Sequence, residues 1–390
     1  MGMTDFRKTR ELLEDGEAYG AGPGRECVVF YKQEPVFCHV AGFRDRERGI
    51  PLSGEEFFDL FSCTKLLTCT ASMMLWERGA FRLEDPVEKY LPEYGNMLVQ
   101  ERLENGRSTL RPARTPMLVC HLLTMSAGLN YDLKDEAVQA ARDATEGFCP
   151  TLETIRFLGR KPLDFDPGER FQYSLCHDVL GALIEVWSGM RFYQFLKKEI
   201  FDPLGMKETF FHLPGEWRER KAVRYMCEGE GKEILPCAPG NPFVPGDAYE
   251  SGGAGIVSTL DDYARFVGML SRGGKMADGK RILEEETLKR MATPVPDEKW
   301  QETFQTAWLP GYHYGLGVYV LWDAKKAGSL ASPGTFGWNG AAGSYVSVDP
   351  KAQIAVLYIQ HMHSPGNKVY HDRLRNTIYR EILGEQEAGE

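Results

Sequence analysis

The sequence holds no CxxC pair, although it has nine cysteines. They are scattered, odd in number and often set among apolar residues (Cys27, Cys38, Cys69, Cys120), as reduced core thiols are. A zinc ribbon or redox pair therefore has no support, and no metal is expected. There is no apolar run long enough for a signal peptide or a membrane span, and Phe6 stands where an amino-terminal lipidation signal needs serine or threonine. The expectation is a cytoplasmic location without a membrane partner. There is also no cationic excess. Lys and Arg number 46 against 56 Asp and Glu, for a net charge of -10, which argues against nucleic acid as the main partner. Gly-x-Ser-x-Gly, a P-loop, His-Glu-x-x-His and Gly-x-Gly-x-x-Gly after a strand are all missing. Nothing in the chain asks for a cofactor. No internal repeat or low-complexity segment interrupts it.

What is present is an ordinary globular composition. The 390 residues are 43% hydrophobic and 26% charged, enough for two or three domains or one large domain with an insertion. Glu26 to Lys32 and Val36 to Gly42 read as strands joined around Gln33-Glu34-Pro35. A helix is expected from near Ser62 to Gly79. The middle is mostly helical in pattern, with apolar spacing of that kind in Cys120–Leu129, His177–Gly189, Arg191–Met206 and, after Gly252, Thr259–Gly274. Tyr314–Trp322, Gly343–Pro350 and Ala352–Gln360 read as strands, the last two joined by a tight turn, and a final helix spans roughly Asn367 to Leu383. Strands at both ends and helices between them predict an α/β (α+β) chain with a mainly antiparallel sheet. Residues 1–80 and 240–390 would build the sheet-containing domain and 81–239 a helical subdomain, with the site between them. His361 and His363 could share one side of a strand, but a strand end entering the Ser364-Pro365-Gly366 turn is the simpler expectation.

Three stretches carry chemistry. In FDLFSCTKLLTCTASMMLWERG, Ser62 and Lys65 stand three apart at the start of an apolar helix and so share a face. A serine hydroxyl needs a base to become a nucleophile. Enclosure disfavours the charged form of a lysine, so an amine held there can accept a proton. The helix amino terminus favours a developing anion and offers free N–H groups. In DPGERFQYSLCHDVLG, Tyr173 falls where an extended piece enters a helix starting near Ser174, a place from which a phenol can relay a proton. In GTFGWNGAAGSYVSVDP, the glycines at 337, 340 and 343 imply either a backbone running close to something bulky or a bend leading into a strand, with Trp338 placed to form an apolar wall.

These stretches, in this order, resemble the serine β-lactamase and penicillin-binding-protein superfamily, and most of all the esterase members of its class-C-like branch (family VIII carboxylesterases). LEDPVEKYLPEY, HLLTMSAGL, FDPLGMKET and SGGAGIVSTLDDYARF fit the same pattern, so the likeness spans roughly residues 25 to 385. It implies a β-lactamase/DD-peptidase-like fold with an inserted all-helical subdomain. It implies Ser62 as the acylated nucleophile, Lys65 and Tyr173 as the base system, and the N–H groups of Ser62 and Ala341 as the oxyanion hole. Gly340, Trp338, Asn339 and Leu175 would touch the substrate, and His177 and Asp178 are candidate supporting residues. Two departures bear on specificity. Leu175 replaces the asparagine of the family's Tyr-x-Asn, and Trp338-Asn339 replaces the Lys-Thr of Lys-Thr-Gly. Neither side chain binds a carboxylate as a lysine does, which favours esters over β-lactams. The expected function is hydrolysis of small carboxylic esters through an acyl-enzyme, with acyl transfer to better nucleophiles than water. An amide hydrolase of the same fold and a silent binding protein are the alternatives. The segment from Glu136 to Asp164 and the loop from Arg218 to Glu250 are expected to shape the pocket.

Overall fold

Both ends of the chain contribute to one eight-stranded sheet. In the computed structural model, which describes residues 4–102, 106–229, 233–307 and 309–384, the strands run in the order Tyr312–Tyr314, Tyr319–Leu321, Phe336–Asn339, Tyr345–Asp349, Ile354–Gln360, Gly24–Tyr31, Glu34–Asp45 and Ile50–Pro51. Every neighbouring pair is antiparallel. The seam between the two ends is the pairing of Gly24–Tyr31 with Ile354–Gln360, from Arg25 opposite Gln360 to Tyr31 opposite Ile354. All but Tyr31 of those fifteen residues are buried, so the sheet is covered on both faces.

Local chemistry moves several boundaries from the expected ones. The first hairpin turns at Lys32 and Gln33, both left-handed (φ 51° and 73°), a twist that suits antiparallel strands. Pro35 thus lies inside the second strand, next to a bulge at Val29/Phe30 that absorbs its missing N–H. The expected single strand over Tyr314–Trp322 is two short strands. Gly315 donates to the Val318 carbonyl at 2.9 Å, and Gly317 has φ 82°. A Cβ at Gly317 would lie 2.1 Å from Cys69 Sγ, so this reversal fits against the helix Thr64–Glu77 only without a side chain. The expected helix over Cys120–Leu129 is confined to Val119–Leu123, because Met125 turns left-handed (φ 55°) and the Thr124 hydroxyl bonds back to the Cys120 carbonyl at 2.8 Å. The final helix occupies Asn367–Leu383.

The Thr64–Glu77 helix is the centre of the molecule. Every residue from Thr64 to Leu75 is buried. Each fully buried leucine or methionine there contributes about 1.5–3 kcal/mol. The helix packs against Cys176–Ser188, which brings the middle of the chain onto the sheet. Residues 81–239 also contain helices Glu136–Ala144 and Thr151–Leu158 and a two-stranded ribbon, Leu98–Arg102 with Ser108–Pro112. That ribbon departs from the all-helical insertion expected.

Glu26 is an anomaly in the sheet. It is fully buried, and among the described residues neither carboxyl oxygen has a hydrogen-bond partner. Burial, then the charge of Glu56, pushes its pKa from 4.5 up to about 8. The folded state thus holds a proton that the unfolded chain releases near 4.5. The stability linked to it is full at lower pH and is lost as pH rises through about 8. Glu26→Gln should therefore raise the melting temperature by about 3–6 °C near pH 9, and the gain should shrink toward pH 5 in a calorimetric series. A gain independent of pH would show that ionisation of Glu26 is not the cause.

Candidate active site

A one-turn 3-10 helix, Phe61–Cys63, leads into the Thr64–Glu77 helix and presents Ser62 to a cavity. Phe61 is left-handed (φ 46°), a conformation that costs a bulky residue energy and is common next to reacting groups. Lys65 is wholly buried. Its Nζ donates to the Gly253 carbonyl at 2.6 Å and lies 3.3 Å from Ser62 Oγ. Tyr173 reaches the same oxygen from the loop before the Cys176–Ser188 helix and donates to it at 2.5 Å. The Lys65 nitrogen also stands 4.5 Å from the Tyr173 ring centre and 5.4 Å from that of Tyr131. Two segments far apart in sequence thus meet at one hydroxyl, and a third, at Gly253, holds the lysine beside it.

The second wall is the strand Phe336–Asn339 and the turn after it. Gly340 donates to the Ser344 carbonyl at 2.7 Å, and Gly343 to the Gly340 carbonyl at 2.9 Å, which closes the turn. A Cβ at Gly340 would sit 2.5 Å from the Leu60 carbonyl oxygen, so the glycine lets this turn press on the chain entering Ser62. Trp338 is buried and nearly parallel to Tyr173, with ring centres 6.0 Å apart. The cavity, about 490 Å³, is lined by Ser62, Tyr131, Tyr173, Phe243, Leu309, Tyr319, Trp338, Asn339, Gly340, Ala341, Ser364, Asn367, Lys368 and His371. Lys368 is the one cation among those residues, and none is a carboxylate. It pairs with Asp372 at 2.5 Å. Burial pushes His371 down to about 4, so the imidazole is neutral near pH 7, with Nε2 2.9 Å from the Gly343 carbonyl.

The expected residues divide into two groups. Ser62, Lys65 and Tyr173 come together, and Trp338, Asn339, Gly340 and Ala341 line the cavity beside Ser62. Leu175 does not line it. Its side chain is buried in the core, and its N–H donates to the Asn130 carbonyl at 3.2 Å. His177 is also fully buried, 3.7 Å from Cys69 Sγ, and its burial and the charge of Lys65 keep the imidazole neutral. Asp178 lies behind Lys65 rather than in the cavity. His361 and His363 face different neighbours: His361 sits 3.4 Å from Asp59 and 3.0 Å from the Ala222 carbonyl, while the His363 ring lies 5.3 Å from Phe61. Of the segments expected to shape the pocket, the Arg218–Glu250 loop supplies Phe243, and Glu136–Asp164 supplies no lining residue. Tyr131, Phe243, Tyr319 and Lys368 had no signal in the local pattern, although Tyr131 follows HLLTMSAGL by only one residue.

A model of the family described as beta-lactamase matches residues 9–378. The chain belongs to the beta-lactamase family. It is 31% identical over 361 residues to Protein Rv1367c of Mycobacterium tuberculosis, covering 90% of this chain and 88% of that protein. It is also 31% identical over 359 residues to Esterase EstB of Burkholderia gladioli, covering 86% and 85% of the two chains. Among solved structures it is similar to EstCE1, a hydrolase with promiscuous acyltransferase activity (TM-score 0.76, 27% identity, 95% and 98% covered). Within this family fold, Gly253 is as tightly enclosed as Gly340. A Cβ there would lie 2.5 Å from Asp178 Oδ2, 2.8 Å from the Tyr131 hydroxyl and 3.3 Å from Lys65 Nζ. Gly253→Ala should displace the carbonyl that holds Lys65 and cut kcat/KM on an activated ester at least about 100-fold in a protein that still folds. Activity within about threefold of wild type would show that activity does not depend on the Gly253 contact to Lys65.

Proposed function

We propose that this protein hydrolyses carboxylic esters through an acyl-enzyme on Ser62, and passes the acyl group to an alcohol or amine when one enters before water. The observation that carries the reading is the convergence on Ser62 Oγ of the Tyr173 hydroxyl at 2.5 Å and the Lys65 amine at 3.3 Å. Ser62 Oγ attacks the ester carbonyl carbon as its proton passes to the Lys65–Tyr173 pair. The carbonyl oxygen becomes an oxyanion, which the Ser62 and Ala341 N–H groups stabilise; one such donor is worth about 2.7–4 kcal/mol. Tyr173 returns the proton to the departing alkoxide as the C–O bond breaks. The same pair then takes a proton from water, or from an acceptor alcohol, as it attacks the acyl-enzyme.

The preference for esters rests on Trp338, which occupies the cavity wall where the family's Lys-Thr-Gly element has its cation. Leu175 adds nothing to that preference, because it lies outside the cavity. The names of the similar proteins, an esterase and a hydrolase with acyltransferase activity, support the same reaction class. One observation favours a second reading, amide hydrolysis. Lys368 lines the cavity from another helix and could meet a carboxylate such as that of a D-Ala-D-Ala peptide.

Turnover of p-nitrophenyl butyrate, a D-Ala-D-Ala peptide and nitrocefin compares the readings directly, and the ester should be turned over fastest. Preferential turnover of the peptide would replace the ester reading with the amide one. Ser62→Ala should abolish ester turnover in folded protein, Lys65→Ala should come within about tenfold of that loss, and Tyr173→Phe should slow acylation about 100-fold or more. Lys65→Ala with most of its activity intact would remove lysine from the base system. A folded wild-type protein that a fluorophosphonate probe fails to label would favour a silent binding protein.

A further inference from the structure

Leu175 raises a question about the polar partners of Lys65. It stands where the family's Tyr-x-Asn element carries an amide, yet its side chain lies in the core. Lys65 is completely buried nonetheless, and a buried amine needs polar partners. Three residues after Leu175, Asp178 is also completely buried.

Asp178 Oδ1 accepts hydrogen bonds from the Ser251 hydroxyl at 2.7 Å and the Tyr249 hydroxyl at 3.2 Å. Ser251 Oγ in turn accepts the Ala254 N–H at 3.0 Å, and the Gly252 carbonyl accepts from Thr68 at 2.7 Å. These bonds pin the turn whose next carbonyl, that of Gly253, receives Lys65 at 2.6 Å. Asp178 Oδ2 makes no hydrogen bond among the described residues. It faces the Gly253 Cα, as Lys65 Nζ does from the helix: a Cβ there would be 2.5 Å from the first and 3.3 Å from the second. Carboxyl and amine thus flank a single glycine.

We propose that Asp178 is a positioning residue for the catalytic base, holding the Ser251–Gly253 turn that fixes Lys65 and setting a buried carboxylate beside the amine. The inference rests on the acyl-enzyme reading above. Lys65 is faced by Cys63, Cys69, His177 and Tyr131, and burial keeps both thiols and the phenol protonated and the imidazole uncharged. The hydroxyls of Ser62 and Tyr173 complete its surroundings. Asp178 is faced by Tyr249, Tyr131, Tyr94 and Cys176, all protonated for the same reason. Its own carboxyl is pushed up by burial, an effect opposed by Ser251, Lys65, Tyr249 and the Gly253 N–H. An ionised Asp178 favours the ammonium form of Lys65, so removing the charge should move the acid limb of the Ser62 reaction to lower pH and leave a weaker base.

The test is the rate of fluorophosphonate labelling as a function of pH, followed by intact mass, in wild type, Asp178→Asn and Ser251→Ala, with melting curves as a check on folding. In the labelled step Ser62 Oγ bonds to phosphorus, fluoride leaves and the proton goes to the base, so no knowledge of the natural substrate is needed. Asp178→Asn should slow labelling about 10–100-fold and move the acid limb down by about 0.5–1 pH unit. Ser251→Ala keeps the charge and loses one hydrogen bond; it should slow labelling less than about fivefold and leave the limb in place. An unmoved limb in folded Asp178→Asn, whether or not labelling slows, overturns the charge role. So does a limb moved equally by Ser251→Ala. Wild-type protein that takes no label overturns the acyl-enzyme reading along with this one, whereas equal labelling of wild type and Asp178→Asn overturns this one alone.

Discussion

A lysine without solvent exposure, held 3.3 Å from a serine hydroxyl, is the constraint on which the rest of the structure depends. An amine in so dry a place needs acceptors, and the helix that carries Lys65 uses its own backbone carbonyls for helical bonds. The Gly253 carbonyl comes from another part of the chain and can approach only because residue 253 has no side chain. That places the Ser251–Gly255 turn, and the turn in turn places Asp178, Tyr249 and Thr68. A serine at the edge of the cavity thereby stands beside an amine whose surroundings are set by the core.

The fold supplies this arrangement from three parts of the sequence. Lys65 rides on a helix buried along most of its length and Ser62 on the 3-10 turn that leads into it, so their separation is fixed by the geometry of that junction and by packing. The wall opposite, Trp338 to Ala341, ends a strand whose place is set by the long ladder to Tyr345–Asp349 and Ile354–Gln360. Tyr173 arrives from the middle of the chain and is kept in place by stacking on Tyr131 and by the helix that follows it. Because each part is anchored in a different element, the site is as rigid as the contacts between those elements. That rigidity is what catalysis by pre-positioned groups requires.

Much of this was legible in the sequence, and what was not has physical causes. Ser62 and Lys65 share a helix face by spacing alone, and the near-absence of charge from Leu66 to Trp76 announces the burial that makes the lysine unusual. Tyr173 could be placed because a turn, an extended piece and a helix start leave it at a junction. Residue 175 misled because proximity in sequence to Tyr173 does not set where a side chain points: the helix begins at Cys176, and Leu175 turns into the core. Phe243 and Lys368 reach the cavity from a loop and from the last helix, through tertiary packing that no local period encodes. The turns at Met125 and Gly317 broke elements whose apolar patterns ran straight through them, because backbone conformation outranked periodicity there. Glu26 sits in a strand sequence that gives no hint of a carboxyl without partners.

The most direct test of the account is intact-protein mass spectrometry of the wild-type chain mixed with p-nitrophenyl butyrate, with peptide mapping of any adduct and release of p-nitrophenol followed in parallel. The account predicts a burst of p-nitrophenol and a butyryl adduct that maps to Ser62 and is lost in Ser62→Ala. An adduct on another residue, or p-nitrophenol released at an unchanged rate by Ser62→Ala, would contradict it.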